Sequence, residues 1–203
     1  MKFPYFLGLI LIFFGWFSIK RHQALKKEKE NRAAFFQKEE DANATRRQDI
    51  SDLPYVKIPT QDLPFGIVST PDIQAQESLL KELAEKPILN LTGISNTDLK
   101  LLYGAANLPF LTECDENFTS LCQAVHKWGF LLYEENQPQA AEQVLKFGID
   151  SGSDISGSYL LLAKIYEEQG NTSLISNLIL RAEKLNSLSK DTIILKLSEF
   201  VHK

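Results

Sequence analysis

Cys122 and His126 lie four residues apart, on one face of any helix that carries them. A thiol and an imidazole at that spacing are half of a zinc site, and Cys114 is nearby in the sequence. Zinc needs three or four protein ligands, and the other two histidines, His22 and His202, stand far away. The expected role of Cys122 is therefore a small core residue, with no metal bound. Acid–base catalysis would need carboxylates in a shielded site. The pairs Glu134–Glu135 and Glu167–Glu168 instead fall at the ends of expected helices, where solvated surface is the simpler account. The sequence holds no Gly-rich phosphate loop, no G-x-S-x-G and no H-E-x-x-H. No catalytic residue and no cofactor is expected, and the chain does not read as an enzyme.

The elements around these residues begin with charge. Residues 1–50 hold 10 Lys/Arg and 6 Asp/Glu, whereas residues 51–203 hold 12 and 20. The larger part would repel phosphate, so no nucleic-acid partner is expected. Two cysteines in 203 residues exclude a disulfide scaffold and fit reduced thiols.

Phe3 to Ile19 is a run of 17 residues without a charge. As a helix it would be roughly 25 Å long, the short end of a membrane crossing. Pro4 suits a first helical turn, Trp16 and Phe17 suit an interface, and Lys2 and Lys20 bracket the run. A cleaved signal peptide would want a small-x-small site, and Ser-Ile-Lys-Arg-His-Gln offers none. Residues 1–19 are thus expected to be a single transmembrane anchor, with the lipid bilayer meeting residues 3–19. Lys20, Arg21, Lys26, Lys27, Lys29 and Arg32 follow the run, so the C-terminal domain is expected in the cytoplasm.

Residues 20–70 are expected to be a charged juxtamembrane helix followed by a Pro-rich linker. The basic start of the helix either attracts anionic lipid or only fixes topology as a solvated spacer; the spacer is the preferred reading. Pro54, Pro59, Pro64 and Pro71 keep the linker extended. Tyr55, Val56 and Ile58 lie in solvent or strap the domain, and the sequence does not choose.

From Pro71 to Lys203 the pattern is helical. Helices are expected over 72–86, over 97–107 ending near Pro109, from Asp115 or Asn117 onward, and finally from Lys190 to His202 as a cap. A 34-residue period runs through the middle. It pairs Val125 with Tyr159, Trp128 with Leu162, Gly129 with Ala163, Leu132 with Tyr166, Ala141 with Ile175, Leu145 with Ile179, Gly148 with Ala182 and Ser153 with Ser187. Each pair keeps its class, apolar or small. Asn136-Gln-Pro138 and Gly170-Asn171 supply turns.

Over about residues 122–188 this pattern resembles tetratricopeptide repeats, a 34-residue helix–turn–helix unit with small residues at fixed places. Ile175, Ser153 and Ser187 depart from it, the first being large where the family is small and the serines standing for proline. The resemblance implies an all-α, TPR-like solenoid of helical hairpins, about seven helices in residues 71–203, with 72–86 and 97–107 forming a divergent first hairpin. It also implies a peptide-binding groove lined by the first helix of each hairpin. By position that groove holds Gln123, His126, Phe130, Tyr133, Glu134, Leu160, Lys164, Glu167 and Glu168. The expected function is a membrane-anchored scaffold or adaptor for a protein or peptide; the alternative is a structural subunit of a larger membrane complex.

Overall fold

The computed structural model describes residues 3–201, and the side chains of these except residues 3–7, 9, 11 and 12. Among the described residues it is all-α. The helices are α1 (Phe3–Ala44), α2 (Pro71–Leu83), α3 (Asn96–Tyr103), α4 (Leu108–Glu134), α5 (Pro138–Asp150), α6 (Ser156–Glu168), α7 (Ser173–Ala182) and α8 (Lys190–Val201), with a 3-10 turn at Ala105–Asn107. The chain forms two compact units, Met1–Gln48 with Ser95–Asn107, and Asp49–Ile94 with Leu108–Lys203.

In the first unit α1 runs 42 residues without a break. Its side chains from Phe13 to Lys38 are all exposed. Among the described residues no helix is long and apolar enough to cross a membrane. The transmembrane expectation for residues 1–19 rests largely on side chains outside the described set. The far end of α1 packs on α3. Lys38 Nζ lies 2.7 Å from Asp98 Oδ1, and Lys100 Nζ reaches Glu39 Oε2 at 3.0 Å and Asn43 Oδ1 at 2.9 Å. The Thr97 hydroxyl donates to Glu39 as well. Those partners hold the Glu39 carboxyl below its usual range, Thr97 first and then Lys100. Ser95 caps α3 by accepting from the Asp98 N–H at 3.2 Å, filling one of the orphan donors of the first turn. Asn107 is buried, 1 % exposed. Its amide donates to Gln48 C=O at 2.8 Å and Tyr103 C=O at 2.7 Å, and its oxygen accepts from Arg47 Nε at 3.0 Å. Gly104 has φ +87°, and a Cβ there would stand 2.7 Å from the Arg46 carbonyl oxygen, so only glycine fits.

The second unit carries the core. Pro71 sits at the start of α2 and the Thr70 hydroxyl accepts from the Ile73 N–H, the start that Pro71 and Asp72 imply. The proline-rich stretch straps the domain. Leu63 is 7 % exposed, and Val56, Ile58, Phe65 and Val68 pack on the core. Val56 N–H donates to Ile88 C=O at 2.9 Å, Gly66 N–H donates to the buried Glu77 carboxylate at 2.8 Å, and the Phe65 ring lies 4.8 Å from that of Trp128. Burying an apolar side chain stabilises by about 1.5–3 kcal/mol, enough to hold an extended segment that has no helix of its own.

α4 and α5 form one hairpin and α6 and α7 the next. α5 packs on α6, α4 on α6, and α8 on both α6 and α7. Val125, Trp128, Gly129, Leu132, Ala141, Leu145 and Gly148 are buried, as are Tyr159, Leu162, Ala163, Tyr166, Ile175 and Ala182. The 34-residue period is therefore largely a period of burial, broken where Ile179 and Ser187 are half-buried against buried Leu145 and Ser153. The turns repeat in phase too. Asn136 (φ 57°) and Gly170 (φ 72°) occupy equivalent positions. They are followed by the bonds Gln137 N–H to Leu132 C=O at 2.9 Å and Asn171 N–H to Tyr166 C=O at 2.8 Å. Both match a left-handed helix-terminating turn.

Two expectations are corrected. Pro109 does not end a helix. It is the second residue of α4, which starts at Leu108 and not at Asp115 or Asn117; a proline's missing N–H costs nothing in a first turn. Residues 72–86 and 97–107 do not pair as a hairpin: α2 packs on α4 and α3 on α1. α3 buries only one side chain, Leu99, too little to build a repeat.

Candidate functional site

The first helices of the two hairpins, α4 and α6, lie against each other and carry the residues that position assigns to a groove. Phe130 is 42 % exposed on α4. The Lys127 ammonium sits over its ring, 5.9 Å from the centroid. One turn on, the Tyr133 hydroxyl donates to Glu168 Oε1 across the two helices at 2.7 Å. The Lys164 ammonium lies 4.9 Å from the Tyr133 ring centroid and 4.0 Å from Glu168. The Tyr133 hydroxyl, then Glu168 and Glu134, hold the Lys164 ammonium above its usual range. Beside this trio is a concavity of about 390 Å³ lined by Tyr133, Glu134, Asn136, Pro138 and Glu168.

His126 meets α6 near that helix's N-terminus. Its Nδ1 lies 3.2 Å from Ser158 Oγ, and a Cβ on Gly157 would stand 2.6 Å from the ring. Burial, and secondarily Lys127, lower its pKa, so the neutral imidazole is favoured there. Gln123, Glu134 and Glu167 are exposed. Leu160, like Tyr133, is half-buried and packs on the core. Of the nine residues, then, Tyr133, Lys164 and Glu168 are joined, Phe130 stands beside them, and His126 is tied to the start of α6.

Three contributors were not read from sequence. Lys127 beside Phe130 is signalled only by its helical spacing of three. Ser158 and Gly157, which hold His126, are 32 and 31 residues from it and have no local signal.

Cys122 is buried, and burial raises its thiol pKa to about 11 against a hydrogen bond to Ser153. It is a packing residue with little thiolate at neutral pH. Burial likewise raises Cys114. Among the described residues no group of three or more His, Cys, Asp or Glu could hold a metal ion.

The arrangement can present an aromatic edge, a Tyr–Glu–Lys cluster and flanking carboxylates to another molecule from a rigid support. No protein-family model, no curated protein and no solved structure matches the chain.

Proposed function

We propose that this protein is a membrane-tethered interaction scaffold in which a TPR-like pair of hairpins presents the α4–α6 face to a protein or peptide. One observation carries the reading: exposed Phe130 stands beside Tyr133, and Tyr133 is held across the helix pair by Glu168 and Lys164. Aromatic side chains already fixed in place lose little entropy on binding and serve as anchors. The carboxylates Glu134, Glu167 and Glu168 favour a partner segment with apolar anchors and basic charge. Residues 3–19 supply the tether to the bilayer, with the domain on the cytoplasmic side.

Full-length protein in mild detergent is used as bait, comparing the native sequence with Phe130→Ala/Tyr133→Ala. Phe130 is exposed and Tyr133 is half-buried against the core, so the double variant is expected to keep its helix content with a somewhat lowered thermal midpoint, and capture is compared well below that midpoint. Loss of a captured partner supports the face; undiminished capture removes it.

A second reading, a structural subunit, is favoured by the C-terminal end of the stack. Leu180, Leu188, Leu195 and Val201 are 55 %, 102 %, 65 % and 47 % exposed. A terminal repeat that faces water is normally polar outside. Native mass above that of a monomer, abolished by Leu195→Lys, would favour this reading over the scaffold.

A further inference from the structure

The segment of α1 that follows its exposed aromatic residues is strongly basic. Phe13, Phe14, Trp16, Phe17 and Ile19 are each at least half exposed, and the basic residues begin at once with Lys20 and Arg21. Residues 20–32 hold six Lys/Arg against Glu28 and Glu30, and every one of these side chains is exposed. Of the acids, Glu30 lies 3.8 Å from Lys26.

Direction matters as much as number. With about 100° between successive residues, Lys20 and Lys27 share one face of α1. Arg21 and Arg32 share a second, and Lys26 and Lys29 a third. A helix lying flat on a bilayer segregates its cations from an apolar stripe; here Phe13, Phe14, Trp16 and Phe17 group on one side, Phe13 within ring contact of the other three, whereas the basic residues surround the axis. Such a helix suits a position upright through the interface, aromatic residues at the hydrocarbon edge and cations above it on all sides. Lys20 and Arg21 lie about 6–8 Å along the axis from Trp16, the depth of a headgroup layer. Lys26 to Lys29 lie about 9–14 Å beyond Lys20, one to two screening lengths at physiological salt. The first pair meets headgroups directly and the later residues feel their field.

We propose that residues 20–32 form a collar that selects anionic phospholipids around the helix, with Lys20 and Arg21 as the direct headgroup contacts. The inference rests on the tether reading above. The occupant is the anionic lipid of a bilayer, because the collar's charge is continuous with an aromatic segment that water does not suit.

The test uses the full chain in phosphatidylcholine vesicles with about 30 % phosphatidylserine. Bromine is placed on the acyl chains of one lipid or the other, and quenching of Trp16 is measured. Trp128 is fully buried and contributes an unquenched background. Brominated phosphatidylserine, mole for mole, should quench Trp16 at least about twofold more than brominated phosphatidylcholine. High salt should abolish the preference, inorganic phosphate exchanged for chloride at the buffer's own physiological ionic strength should not, and Lys20→Gln/Arg21→Gln/Lys26→Gln/Lys27→Gln should bring it to parity. Equal quenching by both lipids in the native sequence overturns the collar while leaving the tether standing. Absence of quenching by either lipid overturns the tether and the collar with it.

Discussion

Adding one methyl group at Gly129 tests whether the α4–α5 crossing is as close as the repeat requires. A Cβ built there stands 2.7 Å from both Cγ and Cδ2 of Leu145. Carbon atoms rest at about 3.5–4.0 Å, so the helices must part or Leu145 must leave its rotamer. Leu145 is fully buried, as are Trp128, Leu132 and Val144 around it, and none can yield into solvent. Overpacking of this kind costs about 1–3 kcal/mol, while alanine gains about 1 kcal/mol over glycine inside a helix. The expected net loss for Gly129→Ala is therefore about 0–2 kcal/mol, and for Gly129→Val more, since valine gains less propensity and adds bulk. Gly148 faces the same crossing from α5, its Cβ 2.7 Å from Val125 Cγ1. Both methyls demand the same separation, so the Gly129→Ala/Gly148→Ala double variant should lose less than the sum of the singles. Urea unfolding in mild detergent, followed by emission of buried Trp128 over the constant Trp16 background, gives the three values. If Gly129→Ala instead gains the full helix-propensity increment, the crossing is loose, and the small residues at 129 and 148 lose their packing explanation.

Asn107→Ala should destabilise the first unit by on the order of 2 kcal/mol, because Gln48 C=O, Tyr103 C=O and Arg47 lose their buried partner; hydrogen exchange should quicken in 96–103 and not in α4–α7. The His126 pKa is depressed by burial, so the unfolded chain takes up the proton first. Its contribution to stability should be full above about pH 6.5 and fall away as pH drops through and below that value, and the thermal midpoint of His126→Gln should lack that part of the acid slope. Phe65→Ala should cost about 2 kcal/mol, less than a fully buried phenylalanine because Phe65 is half-exposed, and limited proteolysis should then cut within residues 51–70.

The repeat was legible because most of its positions do the same physical job twice. Trp128 and Leu162 differ in shape, yet both fill the interior between paired helices, and Asn136 and Gly170 both reach positive φ. Burial and backbone handedness leave a periodic trace. Polar long-range contacts leave none: Lys38 with Asp98 and Lys100 with Glu39 are separated by 60 and 61 residues, and any exposed helix offers similar charges. The partner of α3 was therefore hidden although a helix over 97–107 was expected. Pro109 was ambiguous for a different reason. A proline is equally compatible with the residue after a helix and with the first turn of one, and α4 uses it in the second way. On the candidate face the helical offsets found Phe130 and Tyr133, but which residues engage them depends on α6 reaching α4, and an offset alone does not distinguish exposed Phe130 from half-buried Tyr133 and Leu160.

The uneven charge of the chain gives the two proposals a common physical consequence. Residues 1–50 carry a balance of +4 and residues 51–203 a balance of −8. An anionic surface that attracts the collar repels the acidic remainder, and both forces fade within about 8 Å at physiological salt. A flexible acidic domain would need a long linker to stay clear of such a surface. Here the intervening chain is stiffened at its start, since α1 continues 24 residues past Lys20 to Ala44, about 36 Å of helix. That length exceeds the screening distance several times over. Within α1 even Arg32 stands about 18 Å from Ala44, more than one screening length. Neutralising the collar should alter lipid selection without altering partner capture at Phe130 and Tyr133, and a single charge change that disturbed both would show that the two are coupled.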